Sequence, residues 1–120
     1  MSAVKLQKIS LAEEVASLQE AWRPRVLAEL NGQEVKVARL EGEFVWHHHA
    51  DEDELFLLLD GELSIELRDG SIELSPGELV VIPKGVEHRP VAAERAHVLL
   101  FEPAGVRNTG NVVDERLTAD

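Results

Sequence analysis

The chain has 120 residues, no cysteine, and 23 acidic against 12 basic side chains, for a formal net charge of -11. A single domain of this length buries an apolar core unaided, and without thiols both disulfides and thiolate metal sites are excluded, so any metal falls to nitrogen and oxygen donors. The acidic surplus runs along the whole chain and repels phosphate backbones and anionic lipid, so neither nucleic acid nor a membrane is an expected partner. Met1-Ser-Ala-Val-Lys-Leu-Gln-Lys lacks the apolar stretch of a secretory leader, and no apolar run is long enough to cross a bilayer. A cytoplasmic location is expected.

Ser10 followed by Glu13 reads as a capping box, and Leu11, Val15 and Leu18 recur at helical spacing, which predicts one short helix over residues 11–21. Pro24 stops it. From Val26 onward short apolar-polar alternations are separated by Asn31-Gly32, Asp60-Gly61, Asp69-Gly70 and Pro76-Gly77, all turn formers. Strands are predicted at Val26–Leu30, Glu34–Leu40, Phe44–His49, Leu55–Leu59, Leu63–Arg68, Ser71–Leu74, Leu79–Ile82 and Ala96–Phe101. Such close spacing, with no helix between strands, implies an all-β sandwich or barrel and argues against a parallel α/β sheet. The expected organisation is one domain, 1–120: an N-terminal helical segment (1–25), a barrel (26–104), and a polar tail (105–120) that either wraps the surface or moves freely.

On a strand, alternate side chains share a face, so His47 and His49 point together while His48 points away with Phe44 and Trp46. A turn through Ala50, Asp51, Glu52 and Asp53 brings Glu54 back beside the pair. Two imidazoles and a carboxylate converging in this way suit iron and related divalent ions and leave coordination positions open. A further histidine, His88, follows a tight turn at Gly85 that re-aims the chain inward. The turn acids are expected to be solvated, unless one orients an imidazole.

These residues resemble the two motifs of the cupin superfamily, G-x5-H-x-H-x3/4-E-x6-G and G-x5-P-x-G-x2-H-x3-N. His47, His49, Glu54 and Gly61 match the first from its histidine onward, and Gly77, Pro83, Gly85 and His88 match the second. Gly42 stands one residue too close to His47, and Ala92 replaces the final Asn, but neither position belongs to the family's metal-binding set. The similarity spans roughly residues 34 to 103 and is strongest to small single-domain cupins of the mannose-6-phosphate-isomerase-like type. It implies a cupin-type double-stranded β-helix, a jelly-roll barrel, holding one divalent ion (Fe, Mn, Ni, Co, Cu or Zn) through His47, His49, Glu54 and His88.

Four protein ligands on a six-coordinate ion leave two neighbouring positions, at which a substrate with two adjacent oxygens chelates. The expected function is therefore a metal-dependent enzyme on a small oxygenated metabolite, by isomerase, epimerase or dioxygenase chemistry. A metal- or ligand-binding module and a sensory or structural barrel are the alternatives. General acid-base candidates are few, because tyrosine is absent: Arg89, His97 and Glu102. Phe44 and Trp46 on the face opposite the ligands need cover from a partner subunit or from the N-terminal segment, and Leu55, Leu57 and Leu59 beside Phe56 and Leu58 need it on both faces, from a partner or by central packing within one subunit; a homodimer is the expected partner arrangement.

Overall fold

The computed structural model describes residues 6–114 and 116–119. Helix α1 (Leu11–Ala16) begins as predicted, with the Ser10 hydroxyl accepting the Glu13 amide at 3.2 Å. It ends five residues earlier than the spacing implied. The cause is tertiary: Ala21 pairs with Arg39 in an isolated bridge, the Trp22 amide donates to the Arg39 carbonyl at 2.8 Å, and Trp22 adopts φ 64°. Those contacts pull the chain out of helical geometry before Pro24 is reached. Among the described residues no helix is long and apolar enough to cross a membrane.

The remainder is antiparallel β-structure: β1 (Arg25–Leu30), β2 (Gln33–Glu43), β3 (Glu54–Asp60), β4 (Leu63–Leu67), β5 (Gly70–Leu74), β6 (Leu79–Ile82) and β7 (His88–Pro103). Hydrogen bonding runs in the order β1-β2-β7-β3-β6, and the β4-β5 hairpin joins through β4 to the first residues of β7. β7 thus serves two layers. Leu67 lies opposite His88 and Ile65 opposite Pro90, whereas Leu100 lies opposite both Lys36 and Phe56. The chain bends between those segments, and the two layers close on Leu58, Leu63, Ile65 and Val98, all buried. This is the expected all-β jelly-roll barrel with a short N-terminal helix. Gly61 shows why one motif glycine is needed: a Cβ there would lie 2.6 Å from the Arg95 carbonyl, so only glycine lets this turn sit against β7.

Two departures matter for the site. First, residues 44–49 are not a regular strand: β2 stops at Glu43, and the chain rejoins a ladder only at His47, in an isolated bridge to His88. Second, β7 begins at His88, eight residues before the predicted strand, because β4 supplies a pairing partner that no local pattern reveals.

The polar tail wraps the barrel. Asn108 donates to the carbonyls of Trp22 and Leu117 at 3.2 and 2.7 Å, Thr109 is buried, and Asn111 exchanges two bonds with the His48 backbone at 2.8 and 3.1 Å.

Candidate metal centre

The His47 amide donates to the His88 carbonyl at 3.0 Å and the His88 amide returns a bond to the His47 carbonyl at 2.9 Å. This pairing sets the two rings 4.3 Å apart. His49 is held from the other side, where its carbonyl accepts the Gly85 amide at 2.8 Å. Asp53 caps the same turn, accepting the Lys84 amide at 2.8 Å. The turn acid that matters therefore orients backbone and not an imidazole. Glu54, the first residue of β3, points inward beside these rings.

Both His47 and His88 place Nδ1 2.9 Å from a backbone carbonyl two residues earlier, Val45 and Val86 respectively. A proton on Nδ1 leaves each Nε2 as an acceptor turned toward the site, the arrangement that outer partners impose on ligating histidines. His49 Nε2 and His88 Nε2 stand 3.5 and 3.3 Å from Glu54 Oε1. All three atoms are buried without a hydrogen-bond partner. Orphaned buried polar atoms are costly, and three of them facing one point are explained by a cation between them. Donors held about 2.1 Å from one ion at angles of about 90–110° are about 3.0–3.4 Å apart, within about 0.1 Å of the separations here. Among the described residues, the ligand atoms of His47, His49, Glu54 and His88 lie within 4.8 Å of one another, and all four residues are buried. The four can hold a metal ion.

The electrostatics agree. Burial, reinforced by the facing His88, lowers the His47 pKa to about 4, which keeps its lone pair available at neutral pH. For Glu54, burial works toward protonation, but the close imidazoles of His49 and His88 outweigh it and hold the carboxyl ionised well below the usual range. Burial opposes the charged form of His49 too, yet Glu54, with Glu102 and Glu52, raises it above its ordinary value.

The remaining candidates separate cleanly. Arg89 lies on the outer wall, paired with Glu66 at 2.6 Å and Glu43 at 2.7 Å and 5.3 Å from the Trp46 ring, over which Arg68 also sits at 3.9 Å. His97 lies on the opposite outer face and bonds the Asp60 carboxylate through Nδ1 at 2.8 Å. Glu102 points into the barrel, is 2% exposed, and accepts from Lys36 Nζ at 3.2 Å through Oε1, while Oε2 has no partner. Burial first, then the Glu54 charge, pushes its pKa up to about 8 against the pull of Lys36.

Phe44 corrects the strand-based reading. It is buried on the ligand side, stacked 4.4 Å from Trp22 and edge-on to His47 at 5.3 Å. Alternation fails because residues 44–46 lie outside the ladder, so the parity of β2 is not carried to His47. Trp46 faces outward as expected, under Arg68, and His48 stays out of the ligand group as expected. The tail's approach to the ligand segment escaped notice: a Cβ on Gly110, at φ 56°, would meet the His48 carbonyl at 2.2 Å and His47 Cδ2 at 3.2 Å. A glycine followed by Asn111 was the only available signal.

Fold and centre together define a small β-barrel with an inward His/Glu quartet. The cupin domain family model matches residues 30–102, so the chain belongs to the cupin family. Among solved structures it is similar to a cupin-2 domain containing protein from Shewanella frigidimarina NCIMB 400, at 46% identity and TM-score 0.78 over 79% of this chain and 93% of that one. Protein NMB1881 from Neisseria meningitidis is 28% identical, with TM-score 0.74 over 82% of this chain and all of that one. A further relative is the uncharacterized protein YdbB of Bacillus subtilis (strain 168), 44% identical over 64 residues, which are 52% of this chain and 57% of YdbB.

Proposed function

We propose that the protein binds one divalent metal ion through His47, His49, Glu54 and His88 and acts there as an enzyme on a small oxygenated metabolite. The observation that carries this is the convergence of three buried, unpartnered donor atoms on one point. A divalent ion in that position supplies Lewis-acid chemistry to two adjacent substrate oxygens, or redox chemistry if it is iron. The chain's own contribution is orientation and exclusion of water. Val45 and Val86 fix the imidazoles through Nδ1, and Trp22, stacked on Phe44, closes the apolar side of the cavity. Trp22 comes from the N-terminal segment and Asn108, also at the cavity, from the tail, which supports reading helical segment (1–25), barrel (26–104) and tail (105–120) as one domain. A binding module without turnover is favoured by a cavity of only about 30 Å³.

We also infer a homodimer, on a different ground from the Phe44 and Trp46 stripe. Two cross-strand rows, Val35-Phe101-Leu55-Val81 and Val37-Leu99-Leu57-Leu79, cover the outer face of the large sheet. α1 covers only the end near Val37, and Leu79 and Val81 are 55% and 50% exposed. These rows carry no charge in a chain of net charge -11, so two copies can meet there without bringing their surplus acids together.

The test of the metal assignment is elemental analysis of protein purified without a histidine tag, beside His49→Ala and Glu54→Ala. The wild type is expected to hold about one ion per chain and both variants far less. Equal metal content in all three removes the assignment.

A further inference from the structure

Only four buried side-chain atoms among the described residues lack a partner: three belong to the quartet, and the fourth is Glu102 Oε2. Glu102 is not part of the quartet, whose ligand atoms converge without it. It lines the cavity together with His47 and Glu54, and Trp22, Phe44, Phe56 and Leu100 give that cavity an apolar lining. Its other oxygen is tethered to Lys36, itself buried and 3.4 Å from Glu34, so the carboxyl is fixed and not free to seek solvent. The carboxyl also lies against that of Glu54, and no described side chain donates to Oε2, so a buried, oriented oxygen is left for a ligand.

We propose that Glu102 is a specificity-determining residue: Oε2 hydrogen-bonds a hydroxyl group of the ligand that occupies this cavity. This deepens the function proposed above and rests on it. The group serves in either protonation state, donating as a carboxylic acid and accepting as a carboxylate. The ligand class follows from the remaining surfaces. The cavity is about 30 Å³, space for about two water molecules, so only two or three heavy atoms of the ligand lie inside it. One end must be hydroxylated to meet Glu102, and the rest must be apolar or carbonyl-bearing to lie against Trp22 and Phe56. α-Hydroxy carbonyl compounds of three carbons fit this description. Sites built to hydrogen-bond a hydroxyl reject the analogue that lacks it, because their own polar atom is then left unpaired.

The experiment uses zinc-loaded full-length protein and two probes, hydroxyacetone and acetone, with binding followed by ligand-observed NMR and Trp22 fluorescence in a Trp46→Phe background. Wild type is expected to prefer hydroxyacetone by roughly tenfold or more. In Glu102→Leu the metal content should stay at the wild-type value and the preference should shrink to about threefold or less. Glu102→Gln, which keeps the shape, should fall between and serves if the leucine variant does not fold. Unchanged preference in either variant overturns the proposal, since the hydroxyl then contacts something else. Loss of zinc from Glu102→Leu or Glu102→Gln also overturns it, by making Glu102 a metal ligand. Failure of the metal reading shows separately, as wild-type protein that takes up no zinc.

Discussion

Replacing Gly110 by alanine tests whether the tail supports the metal centre. Three costs arise at this position. Its φ of 56° is unfavourable for a residue with a Cβ, by about 1 kcal/mol. The new Cβ would stand 2.2 Å from the His48 carbonyl, far inside contact, so the tail must lift away. Lifting breaks the two bonds between Asn111 and the His48 backbone, each worth about 1 kcal/mol. The sum is about 3 kcal/mol, which for a domain of this size lowers the melting temperature by about 10 °C. Gly105→Ala is the control, because φ there is 84° but nothing lies within 4 Å of the added Cβ. That variant should lose only about 1 kcal/mol. Because His47 Cδ2 lies 3.2 Å from the new methyl, Gly110→Ala should also weaken metal binding about tenfold in chelator competition. Thermal unfolding followed by circular dichroism decides the matter: if the two variants melt within 2 °C of each other, the close approach is not what holds the tail.

Glu102 predicts a pH effect in metal-free protein. Its folded-state pKa of about 8 lies above the ordinary 4.5, so the folded state keeps a proton that the unfolded chain releases, and this contribution is present below pH 4.5 and lost as pH rises toward 8. Urea unfolding from pH 5 to 8 should therefore show Glu102→Gln gaining on wild type as pH rises, and parallel curves would contradict it. For the dimer, light scattering at micromolar concentration should give twice the chain mass, and Leu79→Lys with Val81→Lys should return it to one chain with metal content intact. A wild type already at single-chain mass refutes that interface.

Much of the site was legible before any coordinates because its determinants are local. A two-residue separation kept His47 and His49 on one side even though the segment is not a regular strand, since the isolated bridge at His47 restores extended geometry where it counts. Gly85 and Pro83 signalled the turn that delivers His88, and the motif spacing linked the two halves. Alternation misplaced Phe44 because it presumes an unbroken ladder, and β2 ends at Glu43.

The primary sequence by itself determined the element types outside residues 44–49, the turn positions and the chemistry of the ligand set, all of which depend on short-range stereochemistry and residue identity. Only the tertiary structure decided among Arg89, His97 and Glu102, because direction in a barrel depends on which strand lies opposite. Glu102 faces inward because it shares a face of β7 with the buried Val98 and Leu100, whereas His97 falls on the other face, bonded to Asp60, and Arg89 lies on the outer wall, paired with Glu66 and Glu43. The tail's hold on the His47-His48 segment is likewise a contact across more than 60 positions of chain, set by close packing and invisible to any local pattern.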